Sequence, residues 1–228
     1  MCFVAFIGCT KLENPKEPIG INNVFSISYT NNDSTLIADS SDVIEINAVL
    51  NKENVTANKF VTFTTEQGSF VGAAGNKQSI TVKADGYNAK VLLRSDNIVN
   101  DYVQLTVTVG DFILYPRVSF KRSYPEEILV TPSKFSINAD LTDKVYFSIN
   151  LKKVTGVASK GTKVEFVVQN ITGAPNVYIQ PIYWKETALN RAELVTTSTV
   201  TGTVRLITRV QSGSTYITSE DTLNINLQ

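Results

Sequence analysis

Past residue 20 the chain alternates short apolar-rich runs with clusters of Asn, Asp, Gly and Ser. Val24–Tyr29 is the first run, and Asn31-Asn32-Asp33-Ser34 closes it. In Val43–Leu50, Ile44, Ile46 and Ala48 fall on one face and Val43, Glu45, Asn47 and Val49 on the other, the two-residue period of a strand. Phe60–Thr64 places Phe60 and Phe63 on opposite faces. Ile80–Val82 and Ala89–Leu93 flank a turn at Asp85-Gly86, and Val103–Val109 puts Val103, Leu105, Val107 and Val109 on one face. Short strands with turn signals every roughly 8 to 12 residues predict an all-β sandwich. Nearly a third of the chain is Val, Ile or Thr, which suits half-buried pleated surfaces, and no helical period is sustained.

The second half repeats the plan. Asp42 followed by Val43–Lys52 aligns with Asp143 followed by Lys144–Lys153, and Val55–Lys59 aligns with Val157–Gly161. Each leads into a strand with one key aromatic, Phe63 or Phe166. The offset of about 102 residues is one sandwich domain. The organisation predicted is a leader remnant at 1–9, a tether at 10–20, and sandwiches at 21–122 and 123–228, with the boundary near Ser123. Phe112–Phe120 is too apolar for a linker, so it is expected to complete the first sandwich as its last strand.

Two stretches resemble a known family. Val55–Phe70 looks like the central strand-turn-strand of invasin/intimin-type bacterial immunoglobulin-like domains, with Phe63 leading to the Gly68-Ser69-Phe70 turn. Ala84–Val91 resembles the family's following hairpin, with Asn88 where glycine is usual, and Glu186–Val195 matches it again with Asn190. An Asn in place of Gly is expected to take the left-handed backbone there. The resemblance implies two tandem immunoglobulin-like β-sandwiches and a stalk or adhesive role at a bacterial surface. It carries over no receptor-contacting residue.

The N-terminus bears on location. Residues 1–9 are mostly apolar and end in Gly8-Cys9, while Thr10–Gly20 is polar and holds Pro15 and Pro18. The apolar run is shorter than the roughly 20 residues that span a bilayer. It resembles the end of a bacterial lipoprotein signal, whose cysteine becomes lipidated. The expectation is a lipid anchor at Cys9, a polar tether, and a position in the bacterial envelope at the outer membrane or cell surface.

Composition narrows the chemistry. The 228 residues carry 21 Lys plus Arg and 21 Asp plus Glu, so the basic surplus of a nucleic-acid binder is missing. The chain has no histidine, which excludes His-based triads and His metal sites, and two cysteines cannot build a Cys-only zinc site. Glu126-Glu127 are adjacent on a strand and point to opposite faces, so they cannot flank one bond. Gly72-Ala73-Ala74-Gly75 opens no helix and reads as a turn rather than a phosphate loop. Asp33, Asp39 and Asp42 with Asn31 and Asn32 offer oxygen ligands for calcium, but turn residues explain them better. No catalytic residue, cofactor or metal site is assigned.

Tyr178, Tyr183 and Trp184 form the best candidate ligand platform, since a planar indole beside tyrosines suits a sugar ring. The competing account is that Trp184 fills the second core. The leading function is a non-enzymatic adhesion, spacer or scaffolding module with a surface protein as partner. The alternative is a glycan-binding lipoprotein of a polysaccharide-uptake system.

Overall fold

The computed structural model describes residues 20, 23–72, 75, 77–140, 142–179, 182–183, 191–196, 199–219 and 223–228. Cys9 and Trp184 lie outside them, as do residues 186–190 of the second hairpin motif. The described strands build four sheets, two for each half of the chain. Among the described residues no helix is long and apolar enough to cross a membrane.

The first half forms one sandwich. Its four-stranded sheet runs β1 (Phe25–Tyr29), β3 (Val43–Leu50), β7 (Asn88–Arg94), β5 (Ser69–Val71), with every pairing antiparallel. The facing sheet runs β2 (Thr35–Ala38), β10 (Arg117–Arg122), β8 (Asn100–Val109), β4 (Phe60–Thr65), β6 (Ser79–Lys83), and β9 (Phe112–Leu114) also pairs with β8. It is antiparallel except for β2 and β10, which run parallel and pair Thr35–Ala38 with Ser119–Arg122. The periods read from the sequence appear as burial. Ile44, Ile46 and Ala48 face inward with Val103, Leu105, Val107 and Val109. Phe60 is exposed while Phe63 is fully buried, its ring 6.1 Å from that of Phe70 in an edge contact.

The second half has the same strand order, strand for strand. One sheet runs β11 (Glu127–Pro132), β13 (Lys144–Lys152), β17 (Arg191–Thr196), β15 (Val177–Ile179). The other runs β12 (Ser136–Ile137), β20 (Leu223–Leu227), β18 (Gly202–Ser212), β14 (Lys163–Gly173), β16 (Ile182–Tyr183), with β19 (Thr215–Thr218) also on β18. β12 and β20 are again parallel. Phe147 is fully buried, with its ring centroid 5.4 Å from that of Phe166. The two hydrophobic clusters are separate: one spans Val24 to Phe120, the other Ile128 to Leu227. The architecture is therefore all-β, two tandem immunoglobulin-like sandwiches.

Three local expectations are corrected. Phe112–Phe120 gives two strands, because the chain breaks at Tyr115-Pro116. Pro116 has no N–H to extend the ladder, but its carbonyl accepts from Leu105 N at 2.9 Å. Asn88 does not take the left-handed backbone. Gly86 does, with φ of 61°, and Asn88 opens β7, where its side-chain oxygen accepts from Asn47 Nδ2 at 3.1 Å. The loop alignment also moves by one residue. Asn58 (φ 61°) and Gly161 (φ 77°) are the matching left-handed positions, so Asn58 does not correspond to Lys160.

Each core carries its own load. Phe63→Ala and Phe147→Ala should each cost about 3–5 kcal/mol. Each should lower only the melting transition of its own sandwich, resolved by calorimetry of the full chain.

Candidate functional site

The contacts that join the sandwiches centre on one turn. Asp39-Ser40-Ser41-Asp42 follows β2, and Ser40 sits at φ 64°. Asp39 Oδ1 accepts from Ser41 N (2.8 Å), Ser41 Oγ (3.0 Å) and Asp42 N (2.8 Å). Asp42 accepts from Ile37 N (2.6 Å) and Val43 N (2.9 Å). An Asp that bonds backbone two and three residues on is a self-closing turn. Asp33 closes its own turn in the same way, accepting from Thr35 N at 2.9 Å. These carboxylates are thus held on backbone N–H groups, as the turn reading expects. Among the described residues no group of three or more His, Cys, Asp or Glu could hold a metal ion.

The turn leaves its main-chain carbonyls for the second sandwich. The loop between β13 and β14 lies across it. Val157 N donates to Asp39 O at 2.9 Å, and Ser159 Oγ donates to Ala38 O at 2.8 Å. Ser159 Oγ also accepts from Ser123 N at 2.7 Å, and Ser159 N donates to Ser123 O at 3.0 Å. Lys160 N donates to Asn97 O at 2.7 Å. One serine, fully buried, therefore ties the first sandwich, the connecting segment and the second sandwich together. Ser123, Asp39 and Asn97 are buried with it. Low dielectric strengthens such bonds and makes their loss costly.

Two features hold this geometry. Gln67 Nε2 donates to Asp96 Oδ1 (2.8 Å) and Ile98 O (2.7 Å), and Asn100 Nδ2 donates to Gln67 Oε1 (2.9 Å), which fixes the loop that presents Asn97. Gly156 has φ of 72°, and a Cβ there would stand 2.6 Å from Asp39 O and 2.7 Å from Ser41 Oγ. Only glycine meets both demands.

The same bonding recurs after β12 at Asp140, Thr142 and Asp143. Asp140 Oδ1 accepts from Thr142 N (2.9 Å), Thr142 Oγ1 (3.0 Å) and Asp143 N (3.0 Å), and Asp143 accepts from Asn138 N (3.1 Å) and Lys144 N (2.9 Å). The N–H of Thr142 and then of Asp143 hold the Asp140 carboxyl below its ordinary value, and the Lys134 ammonium does the same for Asp143. The recurrence is visible in the sequence as Ala-Asp-x-Ser/Thr-Asp at 38–42 and 139–143.

The residues singled out from the sequence sit elsewhere. Tyr178 is 58% exposed on β15, the edge of the four-stranded sheet. Tyr183 is on β16, the edge of the six-stranded sheet, where its backbone pairs with that of Lys163. The backbone therefore assigns these two to different sheets. Glu126 and Glu127 form surface ion pairs with Lys153 (4.0 Å) and Lys152 (3.4 Å), and Glu126 also accepts from Val154 N at 3.0 Å.

Solved structures share this fold. One is the adhesin InvE of Yersinia pseudotuberculosis, 14% identical, with 92% of this chain and 60% of that chain aligned at a TM-score of 0.57. Another is invasin, described as a bacterial integrin-binding protein, 17% identical, with 90% of this chain and 39% of that chain aligned at a TM-score of 0.58. The chain thus spans less than two thirds of either. No protein-family model and no curated protein matches the chain. The invasin-type immunoglobulin-like fold anticipated from Val55–Phe70 is the fold observed.

Ser159→Ala would leave Ser123 N without its acceptor and Ala38 O without its donor, at a cost of about 1–3 kcal/mol. Gly156→Val would force a β-branched residue into the left-handed region against Asp39, at a similar cost. Hydrogen exchange should speed up at the Ser123, Val157 and Lys160 amides in both variants, while β3 and β13 stay protected.

Acidification should weaken the second sandwich through its turn. The folded pKa values of Asp140 and Asp143 are depressed, so their contribution is present above the unfolded value near 3.8 and is lost as pH falls through the folded values. Asp143→Asn should flatten the acid limb of that sandwich's melting curve against pH.

Proposed function

We propose that this chain is a non-enzymatic module of the bacterial cell envelope, anchored by a lipid at Cys9, that spaces or presents an adhesive surface. Its domains would be 21–122 and 123–228 behind a tether at 10–20. The observation that carries this reading is the junction. A buried three-way serine contact and a glycine-only close approach favour one relative orientation, which a spacer needs and a flexible linker would not provide. The adhesin fold agrees with it, and a surface protein is the partner class that invasin's integrin binding suggests. Gly8-Cys9 after an apolar run, followed by a polar segment with two prolines, supports the anchor.

Two measurements test it. Small-angle scattering on residues 20–228 should give an elongated particle with a narrow size distribution. A compact globule or a broad ensemble would count against a spacer. Mass spectrometry of native membranes should find the mature chain starting at acylated Cys9, and Cys9→Ala should leave it unprocessed. An unmodified Cys9 thiol in native membranes would remove the anchor from the reading.

A further inference from the structure

The junction also encloses a cleft of about 270 Å³, lined by Arg122, Tyr124, Gly161, Thr162, Lys163, Gln211 and Gly213. We propose that it binds an acidic sugar, a uronic-acid residue of an anionic polysaccharide. This goes beyond the spacer reading and does not depend on it.

Three properties of the lining select that class. The first is charge. Among the described residues, two cations and no carboxylate line the cleft, in a chain whose formal net charge is zero. Lys163 is partly neutralised by Glu165 at 3.0 Å, whereas the half-buried Arg122 guanidinium pairs with no carboxylate among the described residues. A guanidinium fork matches a carboxylate bidentately, so Arg122 is the anchor for the acid group.

The second is polarity. The neutral lining consists of Tyr124, Thr162, Gln211 and two glycines. The buried Thr162 hydroxyl donates to Ser159 O (2.6 Å) and Gln211 Nε2 to Gly213 O (3.2 Å), which leaves the Gln211 amide oxygen and the Tyr124 phenol for a ligand. These are groups for ring hydroxyls, and they offer little to an apolar ligand. The third is size. Drug-sized ligands occupy roughly 300–1,000 Å³, so this cleft holds a single ring with its neighbours in the open.

The position of the cleft adds a consequence. Arg122 ends β10 of the first sandwich, while Thr162, Lys163, Gln211 and Gly213 belong to the second. Tyr124 lies between them and accepts a bond from Gly213 N at 3.3 Å. A sugar held by Arg122 on one side and Gln211 on the other bridges the two sandwiches and pins the junction.

The test is calorimetric titration of the full chain with trigalacturonate at low salt. The fully methyl-esterified trisaccharide, the same rings without charge, runs in parallel. Saturable binding is expected, weakened at least tenfold by esterification and by Arg122→Gln, and less by Lys163→Gln. Bound trigalacturonate should also slow hydrogen exchange at Tyr124 and Gly213. Unchanged melting of the variants separates lost binding from lost folding. The proposal is overturned if trigalacturonate does not bind saturably, if the ester binds as tightly, or if both variants bind like the parent. Vesicles of phosphatidylglycerol that bind through Arg122 when trigalacturonate does not would overturn it in favour of a lipid headgroup.

Discussion

Asp39 takes three hydrogen bonds on one carboxylate oxygen, and the arrangement of the chain follows from the turn those bonds close. With the Ser41 and Asp42 N–H groups satisfied by Asp39 and that of Ser40 by Asp96 O, the turn presents the carbonyls of Ala38 and Asp39 as fixed acceptors. Ser159 and Val157 then have one place to dock, and Gly156 must carry no side chain. None of this uses apolar burial, which each sandwich keeps for its own core. Hydrogen bonds are directional where hydrophobic contact is not, so a polar junction defines an angle that a greasy one would leave loose.

The duplicated turn makes the same point from the other side. Asp140–Asp143 repeats the bonding of Asp39–Asp42, yet Asp140 is exposed and Asp39 buried. The turn therefore forms without a covering sandwich. The junction exploits a feature of the fold rather than creating one, and its specific content lies in the loop from Gly156 to Lys160.

Much of the fold was legible because strands write a two-residue period into the sequence. β3 and β8 are half-buried along their length, so their inward residues could be named in advance. The split of Phe112–Phe120 was less visible, because apolar content continues through Tyr115-Pro116 and only the missing N–H ends the ladder. Asn88 misled because a family pattern suggested a backbone angle that Gly86 already supplies. The junction was hardest to read. Its acceptors are main-chain carbonyls and its donors are main-chain amides and one serine, groups whose identity in a sequence carries almost no signal. The tyrosine platform spans a change of sheet. Tyr178 and Tyr183 are five positions apart, but the chain changes sheets between them.

The parallel pairing of β2 with β10 has a mechanical meaning. Tension applied at the two ends of a sandwich pulls these neighbouring strands in opposite directions along their length. The bonds between them are then loaded together in shear, rather than opened one after another as in a hairpin. The first sandwich pairs four residues on each strand in this way, Thr35–Ala38 with Ser119–Arg122, and the second pairs two, Ser136–Ile137 with Asn226–Leu227. The longer register puts more of that shear-loaded pairing in the first sandwich, nearer the N-terminus, than in the second.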